Sequence, residues 1–176
     1  MPATDDSVDR LLAQWQRTDP SLDVRTVGVV TRLGRVRAHM ASAMNAVFAE
    51  HGLTAGDFAA LSILRRAGAA GATMTDLADG LALTGGTVTT RVHRIVDAGW
   101  AQVVAEPSDQ RVRRVRLTPA GRDRFDRAAP DHLANQRAML APLTTAQQTE
   151  LAGLLRILLH RFEQPPGESA GTDPAG

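Results

Sequence analysis

Between Thr73 and Leu117 the periodicity of the chain changes, and this change restricts the fold more than any other feature of the sequence. Apolar residues first recur at three and four positions, at Leu77, Ala78 and Leu81 and again at Val88, Val92 and Ile95. That is the spacing of one buried face on each of two short helices. Two valine-rich runs follow, residues 100–105 and 112–117, which read as strands joined by the polar stretch Glu106-Pro-Ser-Asp-Gln-Arg111. Two short helices connected by only Ala82-Leu83 and followed by a hairpin predict a helix-turn-helix with a wing.

The rest of the chain reads as helices around this unit. Thr54-Ala-Gly-Asp57 and Thr73-Met-Thr-Asp76 each place an acid three residues after a threonine, the arrangement of a capping box, and Thr84 reads as a further cap. Ser7 is expected to cap a first helix with Val8, Leu11, Leu12 and Trp15 on one face. A long helix is expected from about Val24 to His51, with Val29, Leu33, Val36, Met40, Met44, Val47 and Phe48 in a stripe and Gly52 ending it. After the hairpin, Thr118-Pro119 restarts helix, and a kink or break is expected at Pro130, which has no amide donor. Thr144-Thr-Ala-Gln147 opens a last helix through Leu151, Leu154, Leu155, Leu158, Leu159 and Phe162. The fold expected is mainly α with a small β-hairpin wing. Residues 1–51 and 122–163 form N- and C-terminal dimerisation helices, residues 52–121 the winged helix-turn-helix, and residues 164–176 a disordered tail.

Charge is distributed unevenly along the chain. Residues 84–117 hold Arg91, Arg94, Arg111, Arg113, Arg114 and Arg116 against Asp97, Glu106 and Asp109, whereas the segments on either side each carry one more acid than base. Local positive charge of this kind is the footprint of nucleic-acid contact. With no cysteine, disulfides, thiolate metal sites and cysteine nucleophiles are excluded. The five histidines never fall three or four apart, and no phosphate-cradling loop or nucleophile elbow occurs, so neither a metal, a cofactor nor an enzymatic activity is expected. The acidic start of the chain lacks the order of a secretory signal, and no apolar run suits a membrane span, so a cytoplasmic protein is expected.

A winged helix core cannot cover the apolar stripes of the first long helix and the last helix. Patches of that size are unusual on a monomer, and a two-fold pairing of chain ends would bury them.

The segment Thr84-Gly-Gly-Thr-Val-Thr-Thr-Arg-Val-His-Arg-Ile-Val-Asp-Ala-Gly-Trp100 resembles the recognition-helix stretch of the MarR family of bacterial transcriptional regulators. Asp109-Gln-Arg111 followed by Leu117-Thr-Pro-Ala-Gly121 resembles that family's wing signature, and His51-Gly-Leu-Thr-Ala-Gly-Asp57 also matches in kind. Gly85 and Gln110 depart from the pattern, standing where many members carry a polar residue and an arginine. The resemblance covers residues 8–162. It implies an intertwined homodimer acting on double-stranded DNA, and a small anionic or aromatic effector held between the lobes.

If residues 84–98 enter a major groove, Gly86, Thr87, Thr90, Arg91 and Arg94 face it, with Thr89 towards one edge. Threonine can bond base edges or touch a thymine methyl, and arginine can fork onto guanine or clamp phosphate. Thr84 caps the helix first. Arg111 at the hairpin tip suits a narrow minor groove, and Asp109 would hold Arg111 or organise the turn. Arg113 and Arg114 alternate faces, so one of them can readily meet phosphate. For the effector, Arg32, Arg35 and His39 share a helix face and Trp15 could add an aromatic wall. The function expected is that of a repressor on a pseudo-palindromic operator. The competing class is a winged-helix module that binds protein or RNA.

Overall fold

Each helix start in the protein traces to a side chain that satisfies an amide or fails to. The computed structural model describes residues 5–106 and 109–163, without the side chains of residues 109–111. Its helices are α1 (Ser7–Thr18), α2 (Arg25–Glu50), α3 (Ala55–Ala67), α4 (Met74–Leu81), α5 (Gly85–Asp97), α6 (Pro119–Leu140) and α7 (Thr145–Glu163). Its strands are β1 (Ala72–Thr73), β2 (Ala101–Glu106) and β3 (Asp109–Leu117). The tail expected to be disordered, residues 164–176, lies outside the described residues.

The capping boxes of α3 and α4 form as expected. Thr54 N donates to Asp57 at 2.9 Å and Asp57 N donates back to Thr54 Oγ1 at 3.1 Å. Thr73 and Asp76 repeat this at 2.8 and 3.1 Å. Gln147 closes the same device on Thr144. Two expectations are corrected. Asp6, not Ser7, caps α1, because its carboxylate reaches both Val8 N and Asp9 N, while Ser7 is already the first helical residue. Thr84 occupies the N-cap position of α5 but makes no side-chain cap, because its hydroxyl pairs with that of Thr87 at 3.1 Å.

Gly52 ends α2 at φ +64°, a left-handed conformation that glycine adopts without strain. Between α4 and α5 that conformation falls on Ala82, at φ 50°. This non-glycine residue carries the strain of the tight helix-turn-helix connection. Of the kink or break expected at Pro130, the break is absent: α6 runs as one helix from Pro119 to Leu140 with Pro130 inside it.

The sheet is three-stranded and antiparallel in the order β1-β3-β2. Val115 of β3 sits opposite Ala72 on one side and Val103 on the other. Strand β1 did not stand out in the sequence because it is two residues long within a Gly/Ala stretch. It forms by pairing with the outer edge of the hairpin.

Two units divide between Asn135 and Gln136. In the first, Leu64, Leu77, Val88, Val92, Ile95 and Val115 form one core among α3, α4, α5 and the sheet. A second core joins Phe48, Leu53, Phe58, Leu61 and Ala128. There Phe48 stacks on Phe58 at 4.7 Å and Phe58 on Phe125 at 5.1 Å. Complete burial of a side chain such as Leu77 contributes about 1.5–3 kcal/mol; the first core holds α5 against α3 and α4, and the second joins α2, α3 and α6. The second unit holds α7, none of whose residues is buried. No helix among the described residues is long and apolar enough to cross a membrane.

Candidate nucleic-acid interface

Helix α5 has two opposite faces. Val88, Val92 and Ile95 are buried in the core, while Thr84, Gly85, Gly86, Thr87, Thr89 and Thr90 are all exposed. Thr89 Oγ1 donates to Gly85 O at 3.0 Å and Thr90 Oγ1 to Gly86 O at 3.3 Å. Each hydroxyl proton is therefore turned back onto the helix, leaving oxygen lone pairs and a methyl group facing outward. Presented this way, the face accepts hydrogen bonds and offers apolar contact. At its start no side chain caps the first-turn amides, so the positive end of the helix is open.

Arg91 and Arg94 lie beside the threonine face, as expected from sequence, but each is also held by a partner on or next to α3. Arg94 Nε lies 2.9 and 3.0 Å from the two carboxylate oxygens of Asp57. Arg91 Nη1 donates to Thr54 Oγ1 at 3.1 Å and stands 3.6 Å from Asp57 Oδ1. Arg91 also lies across Gly56, where an added Cβ would fall 2.1 Å from the guanidinium carbon. Asp57 is completely buried, whereas Arg94 keeps about half of its side chain, 53%, in solvent. Burial pushes the Asp57 carboxyl up, but hydrogen bonds from Thr54 and the Arg94 guanidinium outweigh it and leave the group below its ordinary value. Thr54, Gly86, Thr87, Thr90, Arg91 and Arg94 line one open cleft of about 490 Å³.

On the wing, Arg113 is exposed, whereas Arg114 is partly buried and ion-paired with Glu106. Strand alternation separates them, as expected from sequence. The side chains of Asp109 and Arg111, both expected at the tip, lie outside the described residues. The wing's base is held by Thr118, whose hydroxyl donates to Gly99 O at 2.7 Å and whose amide donates to Trp100 O at 3.1 Å. Arg124 covers the Trp100 ring at 5.2 Å and donates to His51 O at 2.7 Å.

The residues expected to hold an effector are not gathered into one site. Arg32 is ion-paired with Asp6 at 2.9 Å and Asp9 at 2.6 Å, which fastens α1 to α2. That contact, together with the Asp9 amide, holds the Asp6 carboxyl well below the usual range. Arg35 donates to Ser7 Oγ. Trp15 lies in a separate cleft of about 270 Å³ lined with it by Leu11, Gln14 and Thr18, all on α1, and His39 is exposed on α2. Asp57 was missed as a site residue. Its capping box was legible, but its pairing with two arginines of another helix leaves no local signal.

Residues 51–112 match the model of the MarR family. The chain is 32% identical over 149 residues to the HTH-type transcriptional regulator PecS of Dickeya dadantii, covering 84% of this chain and 90% of that one. A probable transcriptional regulator from Pseudomonas aeruginosa is 30% identical with a TM-score of 0.62, over 74% of this chain and 98% of that one. Sco3205, a MarR family transcriptional regulator from Streptomyces coelicolor solved in complex with DNA, superposes with a TM-score of 0.75 at 23% identity, over 84% of this chain and 96% of that one. By its identity to PecS across most of both chains, and by its three-stranded winged fold, this chain belongs to the MarR family of winged helix-turn-helix transcriptional regulators and to no enzyme class.

Proposed function

We propose that the protein is a sequence-specific DNA-binding repressor that engages a pseudo-palindromic operator as a homodimer. The observation that carries this reading is the two-sidedness of α5. Its apolar side is locked into the core, and its exposed side is a row of threonines at an uncapped helix start, next to a wing bearing Arg113. Such a face suits the major groove. Outward threonine oxygens accept from the amino groups of adenine or cytosine, and the methyls meet thymine. The open amides suit a phosphate, and Arg113 suits the backbone beside it. Arg111 and Asp109 complete the wing tip in this reading.

Pairing follows from what a single chain leaves uncovered. Val29, Val30 and Val36 on the first half of α2 are more than half exposed. Along α7, Leu154, Ile157, Leu159 and Phe162 are too, with Phe162 at 81%. A second copy is the self-complementary partner for such surfaces, and it supplies the second reading head. An effector, a small aromatic or anion, would act only by favouring a head spacing that does not fit successive grooves. Trp15, Arg35 and His39 are the candidates for it whose surfaces are exposed.

Selection of bound duplexes from a random DNA library tests the whole reading. The expected product is a pseudo-palindrome with half-sites one turn apart, about 34 Å. Recovery of no preferred duplex refutes it, and retention of RNA or an acidic protein instead favours the interaction-module class.

A further inference from the structure

Asp57 is the one completely buried charged side chain among the described residues. Capping α3 does not require that burial, because Asp76 caps α4 with the same geometry while exposed. What distinguishes Asp57 is the pair of arginines brought to it from α5, Arg94 on both oxygens and Arg91 on one. Both arginines line the cleft that the threonines Thr87 and Thr90 also line. An arginine with no fixed partner at that place would clamp any phosphate, whatever the sequence. A buried carboxylate cannot readily release its partners, because it would then be left charged and unpaired.

We infer that Asp57 is a positioning residue for DNA recognition: it holds Arg91 and Arg94 on α3, limits sequence-independent phosphate binding, and leaves the threonine face of α5 to select the operator. The inference rests on the DNA-binding reading above. It assigns opposite effects to the arginines inside and outside this cluster. Arg113 adds phosphate affinity, whereas Arg91 and Arg94 are withheld from it. The ionised state of Asp57 is what makes the hold strong, and its partners keep it ionised through the neutral range.

The test compares full-length wild type, Asp57→Asn and Asp57→Glu on the selected operator and on a scrambled duplex across a salt series. Asp57→Asn keeps an oxygen to accept Thr54 N–H but drops the charge that holds the arginines. It is expected to bind the scrambled duplex more tightly, with a log–log salt slope steeper by up to about 1.8, at about 0.9 per added phosphate contact. Operator preference falls accordingly, and Asp57→Glu, which restores the charge, recovers part of it. A merely structural role predicts a lower melting temperature with slope and preference unchanged, and that result overturns the inference. If Asp57→Asn does not fold, the Nε–H resonance of Arg94 in the wild-type protein decides. It is expected to stay slow to exchange when the scrambled duplex is added, and its release on addition overturns the inference. A wild type that binds no duplex at all refutes the DNA-binding reading itself and the inference with it. Binding with unchanged slopes removes the inference alone.

Discussion

Replacing Gly121 by alanine tests how the wing is seated. A Cβ at this position would lie 1.8 Å from the carbonyl oxygen of Trp100 and 2.7 Å from its carbon, both backbone atoms that no side-chain rotation can move. To reach 3.0 Å, below which real Cβ contacts essentially never fall, α6 and the segment entering β2 must part by about 1.2 Å. The displaced carbonyl is the one that accepts Thr118 N–H at 3.1 Å, and the adjacent Gly99 carbonyl accepts Thr118 Oγ1 at 2.7 Å. Overpacking costs about 1–3 kcal/mol, and weakening two hydrogen bonds costs about 0.5–1.5 kcal/mol each. Alanine returns up to about 1 kcal/mol in helix propensity. The net expectation is a loss of about 1–6 kcal/mol, read as a lower urea midpoint with an unchanged slope. The same change at Gly85, where an added Cβ meets nothing, is the control and should not lower the midpoint. A Gly121→Ala protein as stable as wild type would refute the claim that backbone contact, and not turn flexibility, requires glycine in the Leu117–Gly121 signature.

The double change Leu154→Glu with Leu158→Glu places two charges on the exposed face of α7, and light scattering at micromolar concentration should fall from about twice 18.8 kDa to that single-chain mass. An unchanged mass would remove α7 from the interface. Arg113→Ala should make the salt slope of duplex binding shallower by about 0.9, whereas Arg114→Ala, whose guanidinium is already paired with Glu106, should change it less. Equal effects would contradict the alternation of the strand. Burial holds His132 below its usual 6.5, with its ring against Phe48 and Phe58. The unfolded chain therefore takes up this proton first, so stability is complete above about pH 6.5 and declines as pH falls through the folded-state value. His132→Phe should flatten that decline in urea unfolding compared at about pH 7.5 and about pH 5.5, and an identical decline would place its cause elsewhere.

Signals that act over a few residues could be read before any fold was known. The Thr54/Asp57, Thr73/Asp76 and Thr144/Gln147 boxes, the Gly52 stop and the burial of Val88, Val92 and Ile95 each depend on neighbours within a turn or two. The change of periodicity likewise pointed to a winged helix, and the motif spacing to its family. Boundaries were less legible where two nearby groups compete. Asp6 displaced Ser7 as a cap, and Thr84 paired with Thr87 and not with an amide, since either geometry is open to an isolated segment.

The chain's own order of residues thus determined which segments are helical, which of their faces are apolar, and that α2 and α7 carry long apolar stripes. Packing decided which charges meet. Arg91 and Arg94 turn to Asp57, Arg32 to Asp6 and Asp9, and Arg114 to Glu106 because folding sets those elements side by side. An ion pair forms between groups that are close in space, and a distance in sequence carries no information about that until the cores that juxtapose the helices exist.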